Sequence, residues 1–134
     1  KYSVRSTPWC AIAVAACIRN TLPGESIPRD YPSSKSFMNF GRRLDKGRLG
    51  AILVFWRGSR KSWKGHTGFY VDEDDKYFYV LGGNQKDSVN VAKIRKYRLR
   101  EGGIRWPDSY PLDDGTTQVA DIDTSGAVET TNEA

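Results

Sequence analysis

The chain has 134 residues, enough for one domain with a buried core but short for two. Its composition, 38% hydrophobic and 28% charged, excludes a disordered chain, and no apolar run approaches the roughly 20 residues that span a bilayer. Segment 108–134 contains seven acidic residues and no Lys or Arg. Segment 1–107 therefore contains nine acidic and 21 basic residues, a net charge of +12. So basic a surface should attract polyanions, but charge alone does not choose among them.

The first predicted element is a helix near the N-terminus. Thr7 can cap it, Pro8 suits its first position, and the apolar run continues to about Asn20. Because the run is apolar on nearly all sides, we expect a central helix that is buried on most of its surface. The chain opens on Lys1 without a secretory signal, so we interpret it as a processed or partial sequence.

Both cysteines lie in this helix. Cys10 and Cys17 are seven residues apart, about 10 Å along a helix axis, which is too far for a disulfide. With a single histidine, the chain also lacks the ligands of a structural zinc site. We therefore expect neither a metal nor another cofactor.

After the helix, the sequence changes from loop to β-type patterns. Residues 22–32 contain three prolines and predict a loop, a short helix follows up to Phe40, and 41–50 is a basic connection. Five short β-type runs then cover 51–56, 66–72, 77–81, 89–94 and 103–106. The acidic cluster at 72–75 suits a hairpin turn. A helix followed by antiparallel strands predicts an α+β fold.

The acidic segment 108–134 has few large apolar residues, so we expect no core of its own. This divides the chain into a domain at 1–107, hereafter the body, and a tail at 108–134. We expect the tail to be held by the basic body or by a neighbouring chain.

Cys10 is the candidate nucleophile, because the first turn of a helix favours a thiolate. Taken alone, it is more simply a small apolar residue of a buried helix, and we interpret Cys17 only in that way. His66, the only histidine, opens a predicted strand. An imidazole can form an ion pair with a thiolate and later protonate a leaving amine, and cysteine before histidine is the papain-like order.

A third polar residue should fix the tautomer of the imidazole. Asn84 is the candidate, because it follows the run at 77–81, which we expect to pair with the strand of His66. Gln85 is an alternative, and 82–85 could also be no more than a turn.

Four blocks of sequence, in this order, resemble the NlpC-type and CHAP-type cell-wall cysteine peptidases, and most of all a small branch common in phage and prophage genomes. The blocks are TPWCA at 7–11, GAILVFWRG at 50–58, GHTGFY at 65–70 and VLGGNQ at 80–85. The resemblance covers about 6–107 and leaves out the acidic tail.

The resemblance implies a papain-like α+β fold in which Cys10 attacks an amide, His66 is the base and Asn84 orients His66. Many CHAP members carry a glutamate two positions before the asparagine. Here that position is Gly82, so a four-residue site is not supported. The implied function is hydrolysis of an amide in bacterial peptidoglycan, within the stem peptide or between the glycan lactyl group and the first alanine. The implied setting is a phage virion or the host cell, acting on the wall.

Residues near the blocks could bind the substrate. Aromatic faces suit sugar rings and basic side chains suit the carboxylates of a peptide stem, although packing and solvated charge are the simpler roles. The candidates are Trp9, Trp63, Arg57, Lys64 and Gln85.

Two other functions remain open. The chain could be a virion structural or internal protein that keeps the peptidase fold and binds other virion proteins through its tail. A nucleic-acid binding module would fit the charge, but the sequence has no recognised binding motif, so we expect no specific nucleic acid.

Overall fold

The computed structural model describes residues 10–27, 34–61, 65–85, 88–110 and 127–129. In this part of the chain one α-helix packs on one mixed sheet, which makes the fold α+β. The elements are α1 (Cys10–Thr21), β1 (Arg42–Arg43), β2 (Ile52–Trp56), β3 (Gly65–Glu73), β4 (Tyr77–Gln85), β5 (Ser88–Arg95), β6 (Leu99–Trp106), β7 (Val128–Glu129) and two 3-10 helices, Ser34–Asn39 and Lys96–Arg98.

The seven strands lie in the order β1-β6-β2-β3-β4-β5-β7. Every pair is antiparallel except β5 with β7, which is parallel. The five predicted strands are all present, while β1 and β7 are added at the two edges. The hairpin turn between β3 and β4 is held by Asp74, whose carboxylate accepts hydrogen bonds from the backbone amides of Lys76 and Tyr77 at 2.9 and 2.8 Å.

The helix is less buried than its composition predicts. Cys10, Val14 and Ile18, spaced four residues apart, are buried on one side. The positions exposed on the other side are Ala16, Cys17, Arg19, Asn20 and Thr21. The prediction of a helix buried on most sides is therefore wrong for its second half, and so is the prediction of a buried Cys17. Small apolar residues raised the hydrophobicity of that side without needing a core to cover them.

Strand β6 begins earlier than predicted. Its pairing with β2 shifts between Leu53 and Phe55, so that Leu53 pairs with Ile104 but Phe55 pairs with Leu99. A bulge absorbs the extra residues at Gly102, whose φ of 75° lies in the left-handed region that favours glycine. This half of the strand was not predicted because the charged residues around Arg100 interrupt the hydrophobic pattern.

Alternation along the strands separates the core into two clusters. The first joins α1 to the 3-10 helix Ser34–Asn39 and to β2 through Ile52 and Val54. The second uses the intervening positions of β2, Leu53 and Phe55, together with buried residues of β4, β5 and β6. The sheet therefore has a buried layer on each face, and α1 belongs to only one of them.

Part of the acidic tail contacts the body. Val128 pairs with Ala92 and Glu129 with Lys93 at the edge of β5. The carboxylate of Glu129 also lies 3.0 Å from Nε of Arg95 and accepts a hydrogen bond of 3.0 Å from the hydroxyl of Tyr77. The segment 127–129 is thus held by basic and aromatic groups of its own body. Within the described residues, no helix is long and apolar enough to cross a membrane.

Candidate active site

Cys10 is the first described residue of α1 and is 1% exposed. Because the unpaired backbone N–H groups of a helix's first turn point outward at its N-terminal end, this position favours a negative charge on the sulfur. Burial acts in the opposite direction and favours the neutral thiol. A thiolate at Cys10 therefore needs a cationic partner.

His66 is the second residue of β3 and is fully buried. It lies directly opposite Phe55 of β2, and the two rings stack with their centroids 6.5 Å apart and their planes 23° apart. Phe55 in turn packs against Phe78 at 6.1 Å. The imidazole is thus held against an aromatic wall, which limits the directions that the ring can take.

Asn84 lies in β4, the strand that pairs with β3, as the sequence predicts. The paired positions Phe69 with Leu81 and Tyr70 with Val80 fix the register. His66 precedes Phe69 by three residues and Asn84 follows Leu81 by three, so the two residues lie toward the same end of neighbouring strands.

The strand β4 extends through Gln85, so residues 82–85 continue the strand and the prediction of a simple turn is wrong. At its end Gln85 pairs with Ser88 of β5. The backbone therefore places both Asn84 and Gln85 in the strand next to that of His66.

The helix that carries Cys10 packs against β3 and β4, the two strands that carry His66 and Asn84. The helix and the histidine nevertheless pack with different core clusters. His66 shares its face with Phe55 of the second cluster, whereas α1 packs with Ile52 and Val54 of the first. Cys10 begins the described part of α1 and His66 is the second residue of β3, so any contact between them lies at the N-terminal ends of these two elements.

The candidate substrate-binding residues fall partly within the described structure. Arg57 is half-buried directly after β2, and Gln85 ends β4. Trp9, Trp63 and Lys64 lie outside the described residues. The basic loop after β2 keeps Arg60 and Lys61 exposed.

A cavity of about 610 Å³, hereafter the basic cavity, opens beside this loop. It lies between the 3-10 helix Ser34–Asn39, the end of β2 and the beginning of β6. Its lining includes Lys35, Met38, Trp56, Arg60, Arg100 and Glu101. Lys35, Arg100 and Glu101 were not predicted from the sequence, because they are distant from the four blocks in the chain. Burial lowers the pKa of Arg100.

A second cavity, of about 350 Å³, is apolar and lies at the other end of α1. Cys17, Ile18 and Leu22 form one wall, and Ile52 and Phe69 of the sheet form another. It is separated from Cys10 by about two turns of helix. In the described part of the chain, no three side chains of His, Cys, Asp or Glu come together as metal ligands.

Comparison of the chain with protein-family models, with curated proteins and with solved structures gives no match.

Proposed function

We propose that the chain is a cysteine amidase or peptidase of the NlpC/CHAP papain-like kind, and that it cleaves an amide bond of bacterial peptidoglycan. The observation that carries the proposal is the packing of α1, with Cys10 at its first described residue, onto the strands of His66 and Asn84. The resemblance of the four sequence blocks supplies the family and the substrate. A phage endolysin or virion-associated lysin is the setting that this resemblance implies.

In the proposed mechanism the Cys10 thiolate attacks the carbonyl carbon of the amide, and the negative charge moves to the carbonyl oxygen. The backbone amide of Cys10 can donate a hydrogen bond to that oxygen. The carbon–nitrogen bond then breaks as the imidazolium of His66 gives its proton to the leaving amine. Water attacks the thioester with His66 as the base, which releases the acid and restores the thiol and imidazole pair.

Access to the site requires movement. Cys10 is 1% exposed and His66 is 0% exposed, so a polymeric substrate reaches the sulfur only if neighbouring groups move.

The burial of both groups and the stacking of His66 on Phe55 favour a second candidate, a structural protein that keeps the fold without the activity. In that case Cys10 and His66 serve as core residues. The docked segment 127–129 also fits a virion protein whose tail is used in assembly.

Digestion of purified peptidoglycan separates the two candidates. The wild type, Cys10→Ala and Cys17→Ala would each be incubated with walls of several chemotypes, and released fragments identified by mass spectrometry. Cys17→Ala is the matched control, because it removes the exposed thiol of the same helix. We expect identical fragments from the wild type and Cys17→Ala and none from Cys10→Ala. Absence of fragments from the wild type on every wall would favour the structural protein.

A further inference from the structure

The basic cavity has the composition of a site for an anionic ligand. Lys35, Arg60 and Arg100 contribute three positive charges to its wall, against one carboxylate from Glu101. Its volume of about 610 Å³ lies within the roughly 300–1,000 Å³ of small-molecule sites. Two of these cations, Lys35 and Arg60, are exposed and can reorient toward a ligand, so the cavity offers both fixed and adjustable donors.

Arg100 provides the fixed charge. It is 8% exposed, and its guanidinium donates a hydrogen bond of 3.2 Å to the backbone carbonyl of Arg60. This bond ties the loop after β2 to β6 and orients the planar guanidinium in the wall. A guanidinium that is already oriented loses less side-chain entropy on binding a carboxylate than a mobile lysine does.

Trp56 provides a polar group and an aromatic wall. Its Nε1–H is buried and has no hydrogen-bond partner within the described part of the chain. A buried donor without an acceptor costs about 1–3 kcal/mol, and a ligand oxygen that accepted this hydrogen bond would recover it. The same indole packs against the ring of Tyr97 at 5.7 Å, which fixes its plane.

The cavity lies at the end of the sheet where β2 ends and β3 begins, which is also where His66 lies. Trp56 pairs with Gly65 in the same ladder in which Phe55 pairs with His66, so the indole and the histidine are one residue apart in register. Alternation puts Trp56 on the face of Ile52 and Val54, which is the face that α1 covers. A ligand in the cavity would thus lie on the side of the sheet from which Cys10 approaches.

We propose that the basic cavity binds a carboxylate of the peptidoglycan stem peptide and so positions the scissile amide beside Cys10. This inference rests on the proposed function, because the substrate class comes from it. The three cations would pair with the carboxylate, and the indole would donate to a neighbouring carbonyl of the peptide.

The test compares two double variants that remove the same charge. Lys35→Gln/Arg60→Gln alters the cavity, and Lys46→Gln/Lys76→Gln removes two exposed lysines from outside its lining. The substrates are a soluble disaccharide peptide with a free terminal carboxylate and its carboxamide counterpart. We expect the cavity variant to raise KM for the acid about tenfold, which corresponds to about 1.4 kcal/mol, with kcat within about twofold of the wild type. KM for the carboxamide should change less than twofold.

Equal KM values in the two double variants, or the same loss on the carboxamide as on the acid, would overturn the cavity proposal while leaving the hydrolase intact. If the wild type cleaves neither substrate, calorimetric binding of the same two peptides decides the cavity separately. Binding of the acid that is weakened in the cavity variant alone would then support the cavity without the hydrolase, and equal binding by both double variants would exclude it.

Discussion

Gly68 is predicted to be important for the close pairing of β3 with β4. It lies two residues after His66 in β3, on the same face. A Cβ added at Gly68 would come within 2.6 Å of Cγ1 of Val80 and 2.9 Å of the backbone oxygen of Leu81. The first contact is with a fully buried side chain and the second with the backbone of β4, so neither neighbour can move aside freely.

Gly68→Ala should therefore lower the free energy of unfolding by about 1–3 kcal/mol, the usual cost of overpacking. With a urea m-value of about 2 kcal/mol/M, a loss of 2 kcal/mol lowers the unfolding midpoint by about 1 M. The assay is urea denaturation followed by tryptophan fluorescence and circular dichroism. Gly24→Ala is the matched control, since a Cβ there meets no atom within 4 Å and the midpoint should hardly change.

A double-mutant cycle identifies the cause. Val80→Ala alone should cost about 2 kcal/mol because it leaves a cavity in the second cluster. Val80→Ala also removes the closest contact at Gly68, so Gly68→Ala/Val80→Ala should be more stable than the sum of the single losses by about 1 kcal/mol. Strict additivity, or a Gly68→Ala variant as stable as Gly24→Ala, would refute the steric reasoning and with it the tight β3–β4 pairing.

Two further predictions concern the exposed thiol and the tail. A bulky maleimide should label Cys17 rapidly and Cys10 slowly, because Cys17 is exposed and Cys10 is buried, and equal labelling rates by mass spectrometry would contradict the packing of α1. Burial alone would raise the pKa of Glu129, but hydrogen bonds from Tyr77 and Arg95 hold this pKa below its usual value. The carboxylate therefore stabilises the fold above its unfolded pKa, and this contribution is lost as the pH falls through the folded pKa. The side chains of Arg95 and Glu129 are 43% and 32% exposed, so Glu129→Gln should lower the free energy of unfolding by less than about 1 kcal/mol near neutral pH and not at all in acid. An equal loss of stability at both pH values would exclude the ion pair.

The sequence predicts the α+β class and the five central strands because those strands are short runs rich in β-branched and aromatic residues, separated by turn-rich segments. Strands β1 and β7 could not be predicted in this way. Arg42–Arg43 and Val128–Glu129 are two residues long, and each forms a strand only because the edge of a longer strand is available to it. The first half of β6 was missed because its arginine, Arg100, is buried, which hydrophobicity does not anticipate.

The candidate site shows the same division. Chain order is sufficient to choose Cys10 and His66 as candidates, whereas spacing leaves Asn84 and Gln85 open and only the resemblance of the blocks favours Asn84. The pairing of β3 with β4 follows from their short connection. The sheet face on which each candidate residue lies could not be predicted from the sequence, because it depends on which alternating set of β2 residues the helix covers. Phe55 could have been expected opposite His66 from a β2–β3 hairpin, but its cluster is known only from the packing.

Titration of the Cys10 thiol tests the central claim most directly, and its readout does not require access to the buried sulfur. Thiolate absorbance would be followed against pH in Cys17→Ser and in Cys17→Ser/His66→Gln, with circular dichroism to verify the fold. An unperturbed thiol titrates near about 8.5, burial raises that value, and an imidazolium partner lowers it to about 7.5 or below. We predict a Cys10 pKa below about 7.5 that rises when His66 is replaced. A Cys10 pKa above about 8.5 in Cys17→Ser would contradict the catalytic pair, whether or not the His66 variant folds.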